Sequence, residues 1–247
     1  MYALSSREIL HIWEVGLEQH PLDRALTMLA SAFPDVPHEH LKALSIGQRD
    51  ECLFAVRGRT LGSRLVSLVV CPACQGQLEL ALDMADLGVA PGTTPEGHVQ
   101  PVQQMASDEY ELQFRLPNSL DLAAIVGYRD VVNARNLLVQ RCVLQVLRDG
   151  IEVAVEALPE DVITALAAHM DTSDPLAALD IGLDCSVCGS HLQVLFDIVS
   201  FFWTEITVQA KLLLREVHTI ARTYGWTEAD ILSLSTARRQ FYLEMVT

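Results

Sequence analysis

Apolar residues recur along this chain with two different periods. Leu22, Ala25, Leu26, Leu29, Ala30 and Phe33 fall three or four apart, which is one face of a helix. Leu78, Leu80 and Leu82, and again Leu192, Val194 and Phe196, fall two apart, which is one face of a strand. Ser5-Ser6-Arg7-Glu8 is a capping box and predicts a helix to about Gln19. Pro21 opens the next helix, and Pro34 and Pro37 stop it. Ser45-Ile46-Gly47-Gln48 is a second capping box, predicting a helix to about Arg57, with Gly58 and Gly62 bracketing the turn that follows.

Arg64 to Val70 reads as a strand, and the alternation of Leu78, Leu80 and Leu82 as a second strand after it. The Gly- and Pro-rich stretch Gly88 to Pro101 predicts a loop. Tyr110 to Leu116 reads as a strand closed by Pro117-Asn118, followed by helices near 119–126, 131–148 and 159–170. Asp174-Pro175 marks a turn. Leu179, Ile181 and Leu183 then alternate with Asp180, Gly182 and Asp184, a strand of period two. A long amphipathic helix is predicted from Phe201 to about Tyr224, ending at Gly225. Thr227 and Ser235 cap two short helices after it.

Two CxxC pairs sit inside this pattern, Cys71-Pro-Ala-Cys74 and Cys185-Ser-Val-Cys188. They belong to an internal repeat: residues 71–84 align without gaps on 185–198, Asp83 matching Asp197. Each unit is strand, CxxC knuckle, strand. Zinc prefers four soft ligands in a tetrahedron, and two such knuckles supply them. The predicted site is therefore one structural zinc ion per chain on Cys71, Cys74, Cys185 and Cys188. Four thiolates leave no open position for a catalytic water. Two free dithiols are the alternative. His191 is a possible substitute ligand, but the gapless repeat favours the cysteines. Cys52 and Cys142 lie on apolar faces and read as buried small hydrophobes.

Composition sharpens the picture. The chain has 247 residues, half of them hydrophobic, which is enough for a packed core. Its net charge is −15, and residues 81–200 carry 18 acids against five bases. That balance argues against a nucleic-acid partner. It leaves open a solvated acidic surface or a contact face for a basic partner. No apolar run approaches the roughly 20 residues of a membrane span, so no membrane association is expected. Arg7, Glu8, His11 and Glu14 stand where a signal peptide needs an apolar stretch, which predicts a cytoplasmic protein.

Nothing else in the chain resembles catalytic machinery. His38-Glu39-His40 has the wrong spacing for a zinc hydrolase and reads as surface. Asp171 and Asp174 are explained by the turn they flank. There is no phosphate loop, dinucleotide-binding glycine pattern or nucleophile elbow. Arg238 and Arg239 are too few for a nucleic-acid stripe. The segment with Phe201, Phe202, Trp203, Leu212, Leu213 and Leu214 holds more apolar residues than one helix face buries. Both a two-sided core helix and a partner-binding surface fit it.

Several motifs occur in a recognisable order. They are Leu44-Ser45-Ile46-Gly47-Gln48-Arg49-Asp50, the first CxxC, Leu116-Pro117-Asn118-Ser119 and the second CxxC. The tail from Tyr224-Gly225-Trp226-Thr227 through Leu234, then Arg238-Arg239-Gln240-Phe241-Tyr242, follows. From about residue 40 to the end, this order resembles the T4-type phage baseplate (hub) assembly family of contractile phage tails and contractile injection systems. The resemblance implies a non-enzymatic role in building the baseplate hub or escorting the tape-measure protein. Tape-measure or hub proteins would be its partners. The site of action would be the bacterial host cytoplasm or the baseplate of the virion or injection particle. A zinc-ribbon module for nucleic acid or transcription is the alternative.

The expected fold is α+β, mostly helical, with a split four-cysteine zinc ribbon of two CxxC β-hairpins surrounded by helices. Residues 1–44 would form N-terminal helices, 45–84 and 179–198 the split ribbon unit, 85–178 an insertion and 199–247 C-terminal helices, in one integrated domain.

Overall fold

Helix capping determines most of the element starts in this protein. The computed structural model describes residues 3–89, 93–97 and 100–246. Residues 90–92 and 98–99 of the predicted loop lie outside the described residues. Helix α1 (Ser6–Gly16) starts at Ser5, whose side chain and that of Glu8 satisfy each other's backbone N–H groups. Pro21 occupies the first turn of α2 (Pro21–Ala32). After the short α3 (His38–Ala43), a Ser45–Gln48 capping box opens α4 (Ile46–Leu61). α4 runs past the predicted stop at Arg57 and takes in Gly58. A Cβ on Gly58 would lie 2.7 Å from the Met84 methyl carbon and sulfur. This glycine therefore serves close packing, and Gly62, at φ 98°, alone makes the turn.

The fold is mixed helix and sheet, with 54% of the described residues helical. Its largest core joins α1, α2, α3 and α4 to the long helix α8 (Ile198–Tyr224). Ile12, Met28, Leu29, Leu41, Leu53, Phe54 and Phe202 are all essentially inaccessible there. Each such side chain contributes roughly 1.5–3 kcal/mol by leaving water. α8 starts three residues before Phe201 because Asp197 caps it, accepting from the Val199 and Ser200 N–H groups. Its buried stripe, from Phe202 through Ile206, Ala210, Leu213 and Val217 to Ile220, is one face of one helix. Gly225, at φ 67°, terminates it. Helices α9 (Glu228–Ser233) and α10 (Thr236–Glu244) fold back on its end, with Tyr224, Trp226 and Tyr242 in mutual ring contact.

Two hairpins carry the CxxC turns: β1 (Arg64–Val70) with β2 (Gln77–Asp83), and β7 (Leu179–Asp184) with β8 (His191–Phe196). Each is a separate two-stranded antiparallel sheet. Their inner faces meet in a small cluster of Leu78, Leu192, Cys71 and Cys185, flanked by Val69, Leu183 and Val194. The expectation that helices surround these hairpins does not hold for their outer faces, where Val66, Leu68 and Val70 stand open to solvent.

Between the hairpins lie β3 (Gln103–Ser107), β4 (Tyr110–Phe114), β5 (Val143–Arg148) and β6 (Ile151–Glu152). They form one antiparallel sheet in that order. Helices α5 (Ser119–Ile125), α6 (Val131–Cys142) and α7 (Glu160–Ser173) accompany it. Leu112, Phe114, Val146, Val162 and Leu166 form its core. The predicted helix 131–148 is wrong in its last third: the chain leaves the helix at Cys142 and becomes β5. β4 needs a hydrogen-bonding partner on this side, and Val143 and Val146 fill the core beneath it. The strand expected to reach Leu116 ends at Phe114, beside a register shift. β3 and β6 carry too little apolar alternation to be read from sequence.

Candidate metal centre

The two CxxC turns have the same backbone. In the first, Gln75 N–H donates to Cys71 O at 2.8 Å and Cys71 N–H to Gly76 O at 2.9 Å. In the second, Gly189 N–H donates to Cys185 O at 2.8 Å and Cys185 N–H to Ser190 O at 2.9 Å. Gln75 and Gly189 hold equivalent positions with φ of 60° and 72°. The left-handed conformation is a feature of the turn, and the first copy adopts it without glycine. Gly76 meets a separate demand, since a Cβ there would lie 3.2 Å from both Cys74 Sγ and a Val187 methyl of the opposite knuckle.

These turns bring all four sulfurs within 4.8 Å of one another. Cys71 Sγ lies 3.8 Å from Cys188 Sγ, and Cys74 Sγ lies 3.6 Å from Cys185 Sγ. Thiolates about 2.3 Å from one zinc ion stand about 3.8 Å apart at the corners of a tetrahedron. The donor set therefore fits a tetrahedral metal ion, with Cys71 and Cys185 buried and Cys74 and Cys188 at the surface.

The thiols respond to one another. Hydrogen bonds from the Ser190 hydroxyl and backbone N–H, then from Cys185 and Cys74, bring the Cys188 thiol down to about 6. The Gly76 N–H favours ionisation of Cys74, but Cys188, desolvation, Cys185 and Cys71 together push it up to about 12. A cation bound among them would stabilise the thiolate forms.

The remaining candidates stay apart from this cluster. His191 Nδ1 lies 2.9 Å from Asp184 Oδ1 on the exposed side of the second hairpin. His40 Nε2 is 2.8 Å from Pro95 O, and His38 is exposed. Burial pushes the Cys52 thiol up to about 12 and the Cys142 thiol up to about 11, which makes both poor nucleophiles. Cys142 is the last residue of α6 and is buried there, directly before β5.

Sequence reading missed the polar girdle that positions the hairpins. Asp174, taken as a turn residue, accepts from Gly47 N–H at 2.9 Å and Ser45 Oγ at 3.1 Å. Burial raises its carboxyl above the ordinary range. Ser45 also bridges to Asn118, and Ile46 N–H donates to Pro117 O at 3.1 Å. Asp121, wholly buried, accepts from Arg115, from Arg141 Nε at 2.8 Å and from Asn118 N–H at 3.0 Å. Burial opposes its ionisation, yet the Arg115 and Asn118 hydrogen bonds and the Arg141 pair hold its carboxyl below the usual range. The signal was present in Leu44–Asp50 and Leu116–Ser119, where Ser45 and Asn118 each cap a helix and also bridge to one another.

A family model described as T4 bacteriophage base plate protein matches residues 19–203. The match takes in both CxxC pairs and the two motifs of this girdle. It begins upstream of the resemblance seen from residue 40 and ends before the Tyr224–Tyr242 tail. Comparison with curated proteins and with solved structures gave no match.

Proposed function

The chain belongs to the T4 bacteriophage base plate protein family, and we propose that it is a non-enzymatic structural component of the baseplate hub, stapled by one zinc ion on Cys71, Cys74, Cys185 and Cys188. Family membership supports a structural baseplate role and association with other baseplate components. The observation that carries the staple is the cluster of four sulfurs within 4.8 Å of one another, in which cysteines 117 and 111 residues apart in sequence approach to 3.8 and 3.6 Å. The two hairpins share no strand pairing, so the metal and a small apolar cluster hold them together. Such a site contributes its binding free energy to folding. No helix among the described residues is long and apolar enough to cross a membrane.

The finer reading is that the protein meets the hub or tape-measure protein during tail assembly through its C-terminal helices. Val208, Leu212 and Phe241 are apolar and exposed there. The test is native mass spectrometry of the protein co-expressed with the tail genes of its own cluster. One zinc per chain and a hub or tape-measure partner are expected. Metal-free protein with freely labelled thiols would overturn the staple, and purification with no tail protein would overturn the hub role. A chain truncated near residue 223 that still binds its partner would overturn the part of this contact that runs through Phe241 and the last two helices.

A further inference from the structure

The internal repeat supplies its own control for the outer faces of the hairpins. Position by position before the knuckle, Val66, Leu68 and Val70 of β1 correspond to Asp180, Gly182 and Asp184 of β7. After the knuckle, Leu195 of β8 corresponds to Ala81 of β2. The hairpin geometry is thus compatible with polar or small residues at every one of these outer positions. Yet β1 and β8 carry aliphatic side chains there, with Leu68 67% and Leu195 64% exposed. Strand formation does not account for the difference between the two copies.

β1 and β8 border the same groove, of about 580 Å³. Val66, Ser67, Leu68 and Val69 line one wall, and Val194 to Asp197 the other. Successive residues of a strand point to opposite faces. A groove lined by four consecutive residues of β1 and three of β8 is therefore bordered by strand edges. Among the described residues each of these strands pairs with one neighbour, β1 with β2 and β8 with β7. Natural sheets blunt such edges with charges, prolines or bulges, whereas residues 66–70 contain none of these. The floor includes Phe201 of α8.

We propose that this groove receives an extended segment of another protein of the particle, added as a strand between β1 and β8. The segment carries aliphatic side chains at alternate positions and basic residues beside them. The alternation follows from strand addition, in which main-chain hydrogen bonds bind and every second side chain fills the apolar surface. The basic residues follow from charge. Across its hairpin Leu68 faces Glu79, and Leu195 faces Asp180, and Asp197 lies at the end of the groove. A second copy of a chain with net charge −15 is disfavoured as occupant, because like charges would meet. The groove exists only while the hairpins are held together at the cysteines, so this inference rests on the staple proposed above.

The test places a photo-crosslinking amino acid at Leu68 or Leu195, and at Gly182 or Ala81 as controls, in the full chain during particle assembly. Leu68 and Leu195 should crosslink to the same segment of one partner, and the controls should not. The crosslinked sequence is then made as a peptide, and as the same peptide N-methylated at alternate amides. We expect binding to the purified, zinc-loaded protein to fall at least tenfold on N-methylation, and tenfold in Val66→Glu/Leu195→Glu. No crosslink, crosslinks to a second copy, or binding indifferent to N-methylation would each overturn the proposal. Zinc content measured on every variant separates loss of the groove from loss of the staple. A variant that keeps its metal but loses the peptide supports the groove.

Discussion

Asp174 Oδ2 accepts the backbone N–H of Gly47 at 2.9 Å, joining positions 127 residues apart. Gly47 lies in the first turn of α4, where N–H groups lack helical partners and the helix dipole favours an anion. Asp174 stands just before the second hairpin, and α4 leads directly to the first. This contact therefore ties the chain just before the second hairpin to the helix that leads into the first.

A Cβ on Gly47 would fall 2.0 Å from Asp174 Oδ1. Gly47→Ala is expected to cost about 1–3 kcal/mol by forcing the carboxylate away. Asp174→Ala should cost a similar amount, because it strands the Gly47 and Ser45 donors. Asp174→Asn should cost less, since burial already disfavours the charged form. Urea unfolding of the three variants gives the order directly.

Removing the metal should loosen the hairpins while leaving the helical core folded. Chelation is expected to lower the thermal midpoint and make four thiols reactive, with Cys52 and Cys142 staying protected until global unfolding. Cys71→Ser should reproduce this loss in full. Cys52→Ser should keep the zinc and lose about 1–3 kcal/mol from a buried hydroxyl. Zinc analysis and thiol labelling of each variant check the pattern.

The two knuckles make opposite predictions for one conformation. Gly189→Ala places a side chain in the left-handed region at φ 72° and should weaken the site by about 1 kcal/mol. Gln75→Gly removes that strain from the first knuckle and should tighten it by up to about 1 kcal/mol. Competition for zinc against a chromophoric chelator measures both, and equal effects of the two changes would contradict the shared geometry.

Asp50 provides a pH signature. Burial raises its carboxyl to about 6, with the adjacent Arg49 only partly offsetting this. The folded state therefore binds the proton before the unfolded chain does. Stability from this group should rise as pH falls through 6 and level off below about 4, a gain of roughly 3 kcal/mol at most. Carbon-detected NMR titration should find the Asp50 midpoint near 6, and a midpoint near 4 would contradict its burial. Asp50→Asn should abolish this contribution to the pH dependence of urea unfolding.

Much of this protein was legible locally. The capping boxes at Ser5 and Ser45 and the glycine stop at Gly225 are where the sequence placed them. Local chemistry satisfies those backbone groups whatever lies nearby. The repeat likewise announced two equivalent knuckles, and their hydrogen bonds match. Legibility failed where a neighbour decided the outcome. Residues 143–148 are apolar enough for a helix and became a strand because β4 lay beside them. Gly58 looked like a turn and proved to be the bed of the Met84 side chain.

The sequence by itself determined the helix starts, the period-two strands and the four cysteines, because spacing and capping act over a few residues. Only the tertiary structure decided that the four sulfurs converge, that Asp174 bridges to Gly47, and that β1 and β8 border one groove. Those relations join residues more than 100 positions apart. They depend on how faces pack, and no local period records that.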